Sequence, residues 1–193
     1  QRAGTNISDY LEFADNFYQT CLDSENASTL AAYLEPDETQ TNSTYENLNI
    51  HSSFDRITWG TLDMKLEKEA VPVIKDMNET TCSIDLTYVL SDTPEDETTD
   101  YYNVTDFYRM RYAQSRVMLL DFERNTQELY DGKHTELTSK GINLGVADKD
   151  VQYQSNKSSD IVAFVQEGEL WSYNRSANKV TQIFSFRDGD LDE

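Results

Sequence analysis

Between Cys82 and Leu90, the apolar residues Cys82, Ile84, Leu86, Tyr88 and Leu90 alternate with Ser83, Asp85 and Thr87. A period of two puts one face of a β-strand in a core and the other toward water, so this run is the strongest single constraint on the fold. Apolar material is otherwise sparse. Only 37% of the 193 residues are hydrophobic, yet Tyr 12, Phe 8 and Trp 2 supply enough aromatic bulk for a core, and three prolines and seven glycines exclude a Pro/Gly-rich disordered chain.

A covering layer is legible upstream. From Ser8, which reads as an N-cap, Tyr10, Phe13, Ala14, Phe17, Cys21 and Leu22 fall along one helical stripe. A second short helix is expected after Asn26 or Ser28, burying Leu30, Ala31 and Leu34 and ending before Pro36. Residues 35–53 are polar, acidic and without period, and read as a long loop.

From Arg56 the period is again two. Ile57 and Trp59 take one parity and Leu62, Met64 and Leu66 the other, which predicts a strand with a β-bulge at Gly60. Downstream, Tyr102, Val104, Tyr108, Met110 and Tyr112 share one strand face, with Phe107, Arg109 and Arg111 on the other. After the polar break Ala-Gln-Ser, Val117 to Phe122 is a continuous apolar run that suits a central strand covered on both faces. Beyond residue 123 short hairpins are expected. Residues 122–130 read as strand, turn at Arg124-Asn125-Thr126, strand, and Ile161 to Val165, Leu170 to Tyr173 and Val180 to Phe186 form a three-strand meander. Residues 119–130 and 170–184 look alike at a spacing close to the length of a propeller blade.

The formal charge is −20, from 36 acidic and 16 basic side chains, so nucleic-acid phosphates and anionic lipid are repelled. No apolar run approaches the ~20 residues of a membrane-spanning helix. The acid is concentrated early: residues 1–55 hold ten acids against one base, 56–100 eleven against four, and 101–193 fifteen against eleven. A chain that opens on Gln1 and stops on Glu193 reads as a piece of something longer. Cys21 and Cys82 are too far apart for a Cys-x-x-Cys motif and leave either one disulfide or two buried thiols. Seven of the thirteen asparagines open Asn-x-Ser/Thr triplets, at Asn6, Asn26, Asn42, Asn78, Asn103, Asn156 and Asn174. That density fits either a glycosylated secreted protein or polar loops rich in turn-forming residues.

Catalytic signatures are missing. His51 and His134 each stand without a second histidine or a cysteine at ligand spacing, and there is no Gly-x-Ser-x-Gly, phosphate loop or His-Glu-x-x-His. Asp148 and Asp150, and the terminal Asp188, Asp190 and Asp192, lack the glycine and distal glutamate of a calcium loop. No catalytic residue, metal site or cofactor is therefore assigned. Arg109 and Arg111 either clamp a carboxylate ligand or pair with acids on the next strand. Trp59, Tyr88, Tyr108 and Tyr112, with Arg109, are the candidate ligand-binding residues; as core aromatics the four rings need no ligand.

The order helix, short helix, loop and bent strands, closing on Phe-Tyr-Arg-Met-Arg-Tyr-Ala-Gln-Ser-Arg-Val-Met-Leu-Leu-Asp-Phe-Glu (107–123), resembles an NTF2-like domain over roughly residues 5–123. One departure is a polar loop where many members carry a third helix. Gly-Glu-Leu-Trp-Ser-Tyr-Asn and Lys-Val-Thr-Gln-Ile-Phe-Ser-Phe in the tail resemble blades of TolB-like propellers, and the whole resembles extracytoplasmic proteins of gut Clostridia. The expectation is an α+β chain: N-terminal helices on a curved, mostly antiparallel sheet at 1–123, then a β-hairpin-rich segment at 124–193 with partial propeller blades. The resemblance implies a bacterial, extracytoplasmic protein of the cell envelope, secreted or anchored upstream. The leading reading is a non-catalytic binding or interaction module for a protein or small ligand. The alternatives are an NTF2-like pocket that binds a small ligand or catalyses a reaction, and a eukaryotic secreted glycoprotein.

Overall fold

The computed structural model describes residues 7–37, 39, 44–93, 99–132, 136–138, 141–143, 151–166 and 168–185. Helices are few and strands mostly antiparallel, so the class is α+β with the sheet dominant. The chain divides into two compact units, Gln1–Glu128 and Leu129–Glu193.

In the first unit, helix α1 (Ile7–Leu22) buries Tyr10, Ala14, Phe17, Tyr18 and Cys21, one stripe at 3–4 residue spacing. Phe13 and Leu22 are only partly buried, and Ser8 lies inside the first turn rather than capping it. The 3₁₀ helix η1 (Ala27–Tyr33) buries Ala27 and Leu30, while Ala31 faces water. Leu34 follows it into the core in extended conformation ahead of Pro36, whose ring disfavours helical backbone in the residue before it.

The stretch expected to be a loop carries a strand. β1 (Asn47–Asn49) pairs with the last strand of the sheet and sends Leu48 into the core, followed by Ile50. Two apolar residues in a polar setting are too few to register as a period. Nor does a strand start at Arg56. Residues 54–57 form a single helical turn, α2 (Phe54–Ile57), and Trp59 and Gly60 then adopt φ of 64° and 58°. That left-handed pair, closed by Leu62 N–H donating to the Trp59 carbonyl at 3.0 Å, drives Ile57 and Trp59 inward without a bulge. A Cβ on Gly60 would sit 2.8 Å from the Tyr45 hydroxyl, so a side chain here would have to displace Tyr45 and also adopt glycine's φ.

Four long strands follow: β2 (Lys65–Met77), β3 (Thr81–Asp92), β4 (Asp100–Ala113) and β5 (Arg116–Glu128), in the sheet order β1-β5-β4-β3-β2. β3 has the expected alternation, with Cys82, Ile84, Leu86, Tyr88 and Leu90 all buried. β2 is the free edge and exposes Val71, Val73 and Ile74. Its register slips at three places, and with Pro72 these irregularities blunt its pairing surface.

β5 corrects two expectations. Its apolar run is not covered on both faces, since Met118 and Leu120 are exposed. The run is continuous because of a register shift between Arg109/Met110 and their partners: Val117 and Leu119 lean on the core from one parity, Phe122 and Arg124 from the other. There is also no turn at residues 124–126; β5 passes through them to Glu128.

The second unit contains a two-stranded ribbon, β6 (Glu136–Thr138) with β7 (Gly141–Asn143). It also contains a four-stranded meander of β8 (Gln152–Ser155), β9 (Ile161–Gln166), β10 (Glu169–Asn174) and β11 (Lys179–Ser185). Its core is Phe164, Trp171 and Tyr173, with Tyr130, Val151, Val162 and Val180 packed on it. The resemblance between 119–130 and 170–184 does not carry into structure, because the first lies within β5 up to its end while the second is a hairpin.

Asparagines organise the turns. Asn78 Oδ1 accepts from the N–H groups of Thr80 and Thr81 in the β2–β3 hairpin. Asn156 Oδ1 accepts from Asp160 and Ile161, and Asn174 Oδ1 from Ala177. Three of the triplet asparagines are thus placed by turn chemistry, while Asn6 and Asn42 lie outside the described residues.

Replacement Gly60→Ala is expected to destabilise the first unit by about 1–3 kcal/mol, from the left-handed φ together with the clash on Tyr45. Urea denaturation of the variant beside the wild type checks this. Asn78→Ala is expected to cost less, about 1 kcal/mol, since its exposed turn loses the side chain's hydrogen bonds to Thr80 and Thr81.

Candidate functional site

At the centre of the first unit, β4 and β5 place Asp106 and Arg124 directly opposite each other in register, both on the inward face. Their side chains are fully buried. Arg124 donates from Nε to Asp106 Oδ1 at 2.7 Å and from Nη2 to Oδ2 at 2.8 Å, a two-pronged ion pair. Its Nη1 donates to the Ile57 carbonyl at 2.7 Å, which ties the α2 turn to the sheet. Tyr88 and Tyr108 each donate a hydroxyl to Asp106 Oδ2, at 2.9 and 3.0 Å. The guanidinium lies over the Trp59 ring, 4.7 Å from its centroid, and 5.3 Å from that of Phe122.

Three of the five candidate residues therefore meet: Trp59, Tyr88 and Tyr108 surround one ion pair. Arg109 does not join them. Its parity puts it on the opposite, exposed face, where Asp121 is its register partner on β5 and no ion pair forms among the described residues. Tyr112 is half-buried near the end of β4, where its N–H donates to the Tyr10 hydroxyl at 2.9 Å.

Asp106 and Arg124 escaped sequence reasoning. A signal exists for Asp106, which sits between Val104 and Tyr108 at core parity. Arg124 stands two residues past Phe122 at the same parity, but the polar run around it imitates a turn.

Electrostatics favour a fixed charge state. Burial works against the Arg124 charge, but the Asp106 carboxylate more than offsets it, and the guanidinium is held well above its ordinary value. Burial pushes the Tyr88 and Tyr108 hydroxyls well above 10, with the Asp106 charge adding to the effect. The Cys21 thiol is pushed up to about 11, chiefly by burial. Cys21 and Cys82 are both buried free thiols, so the disulfide alternative is excluded. Only the Trp59 indole N–H among the members of this cluster lacks a partner. His51 is tied through Nδ1 to the Glu35 carbonyl at 2.9 Å, and His134 lies outside the described residues, as do Asp148, Asp150, Asp188, Asp190 and Asp192.

Chemically this is a closed arrangement. The carboxylate accepts four donors, and Phe17, Tyr18 and Phe122 pack around the tyrosines at centroid distances of 4.9–5.5 Å, leaving no room beside Asp106 for a substrate. Its physical role is to hold β3, β4, β5 and α2 together.

Among the described residues, two concavities open on the surface of the first unit. One, of about 550 Å³, runs between α1, the end of η1 and the β4–β5 turn. The other, of about 260 Å³, lies beside the α2 turn and is lined by Cys21, Thr58 and Trp59 among others.

Arg124→Met is expected to destabilise the first unit by about 3–5 kcal/mol, because it strands a buried carboxylate. Asp106→Leu/Arg124→Met together should cost less than Arg124→Met alone, and a double-mutant cycle by chemical denaturation checks this. The tyrosines give a pH signature. Their ionisation is raised in the folded state, so their contribution is intact below pH ~10 and is lost as pH climbs above the unfolded value. Absorbance at ~295 nm should show these two phenols ionising only as the chain unfolds in alkali. Neither thiol should react with a disulfide reagent at pH ~8 until denaturant is added. No family model, curated protein or solved structure matches this chain.

Proposed function

We propose that the chain is a non-catalytic binding module of the cell envelope or extracellular space, an NTF2-like cone followed by a propeller-type blade. The observation that carries this reading is the occupied interior of the first unit. The position where a cone would hold a ligand contains Trp59, Tyr88, Tyr108 and the Asp106–Arg124 pair, each fully or nearly fully buried. An interior filled in this way leaves binding to the surface.

The cone is supported by the order of a long helix, a short one and then long antiparallel strands. The blade is supported by four consecutive strands paired in sequence order, with Ile161, Val165, Ile183 and Phe184 exposed on them as a blade exposes its flank to a neighbour. The extracytoplasmic location rests on the sequence resemblance. The competing reading, a small-ligand pocket, has one point in its favour: the hollow beside Trp59, whose indole N–H has no partner.

Protease added to intact cells that make the full protein is expected to degrade this region, and resistance until lysis would overturn the location. A thermal-shift panel of small metabolites should leave Tm unchanged. A compound that raises Tm by several degrees and shows NMR contacts with the Trp59 indole would favour the small-ligand pocket instead.

A further inference from the structure

The groove on the first unit combines three features that no contact among the described residues explains. Its floor is aromatic: Phe13 meets Tyr33 edge-on at 5.1 Å, with Tyr112 across from them, and Tyr33 remains 39% exposed. Its rim is acidic. Asp9 and Glu12 project from the same stripe of α1 as Phe13, and Glu35 follows η1. None of these three carboxylates makes an ion pair among the described residues, and they face one guanidinium, Arg116. At about 550 Å³ the groove falls within the ordinary size of ligand-holding concavities.

We propose that this groove binds a basic peptide segment of a protein partner, seating a Lys or Arg side chain against Phe13, Tyr33 and Tyr112 with Asp9, Glu12 and Glu35 around its charge. This rests on the reading of the chain as a binding module, and names the partner's chemistry. Aromatic faces attract a cation through their quadrupole and also accept its aliphatic stem, which makes a long basic side chain a better fit than a purely apolar one. The carboxylates supply the opposite charge, and the chain's −20 steers a basic segment toward it. Phosphate-bearing ligands are disfavoured by the same field.

The test pans a random peptide display library on the protein and measures the enriched peptides by fluorescence anisotropy. Four proteins are compared: wild type, Glu12→Gln/Glu35→Gln in the groove, Tyr33→Ala on its floor, and Glu69→Gln/Glu79→Gln, which removes the same charge as the groove double variant from exposed positions on β2 and its turn. Enriched peptides are expected to carry Lys or Arg next to an apolar or aromatic residue. Their Kd should rise about tenfold in the groove variant and stay within twofold in the control, with Tyr33→Ala also weakening binding. Equal weakening in both charge variants would mean that only the general field attracts the peptides and would overturn the proposal. So would enrichment of peptides without basic residues, or no enrichment. Peptides that bind wild type and groove variant alike overturn the groove but leave the module reading standing, whereas failure of that reading shows as a Trp59-linked response in the small-molecule panel.

Discussion

A charge pair with no access to water organises the first unit. Removing a carboxylate and a guanidinium from solvent costs several kcal/mol per ion, and Coulomb attraction offsets this only when geometry is good and the remaining lone pairs and protons are satisfied. Here Asp106 receives two bonds from Arg124 and one from each of two tyrosines, and the third arm of the guanidinium reaches the Ile57 carbonyl. Each partner comes from a different segment: β3, β4, β5 and the turn after β1. A slip of β4 against β5 would leave a buried charge unpaired, so the pair fixes the register of these two strands as well as contributing to packing.

That requirement explains features elsewhere in the unit. Trp59 adopts a left-handed backbone, unusual for an aromatic residue, and its ring lies against the guanidinium. The next residue, Gly60, also has a left-handed φ, and a Cβ there would displace the Tyr45 hydroxyl, which donates to the Trp59 carbonyl at 3.3 Å. On β5, the register shift beyond Arg109 lets residues of both parities reach the core, so that Phe122 and Arg124 line up with Tyr108 and Asp106. The same packing fills the interior, while on the surface Phe13 and Tyr33 keep aromatic area in contact with water beside carboxylates that have no ion pair among the described residues.

Legibility of the sequence followed the physics of each signal. β3 was readable because its polar and apolar residues separate by parity, and α1 because its stripe has helical spacing. Trp59, Tyr88 and Tyr108 were recognisable as inward residues, and Arg109 was separable by parity from the face they occupy. Asp106 and Arg124 were not found, since each alone violates the rule that charges stay outside, and only their mutual neutralisation removes the violation. Arg124 was further disguised by Glu123, Asn125 and Thr126, whose composition is that of a turn although the backbone is a strand. Leu48 and Ile50 were lost in an acidic stretch too polar to display a period.

The sequence by itself determined the α+β class, the main helix, the sharpest strand and three of the four strands of the C-terminal meander, because local periodicity needs no partner to be read. Whether the two cysteines pair, where β5 ends, and what occupies the core of the first unit were decided only in three dimensions. Each depends on residues far apart in the chain: Cys21 against Cys82, β1 against β5, Asp106 against Arg124. Distance along the sequence carries no information about such pairs; compensation of buried charge and the closing of a sheet edge emerge only when the strands are side by side.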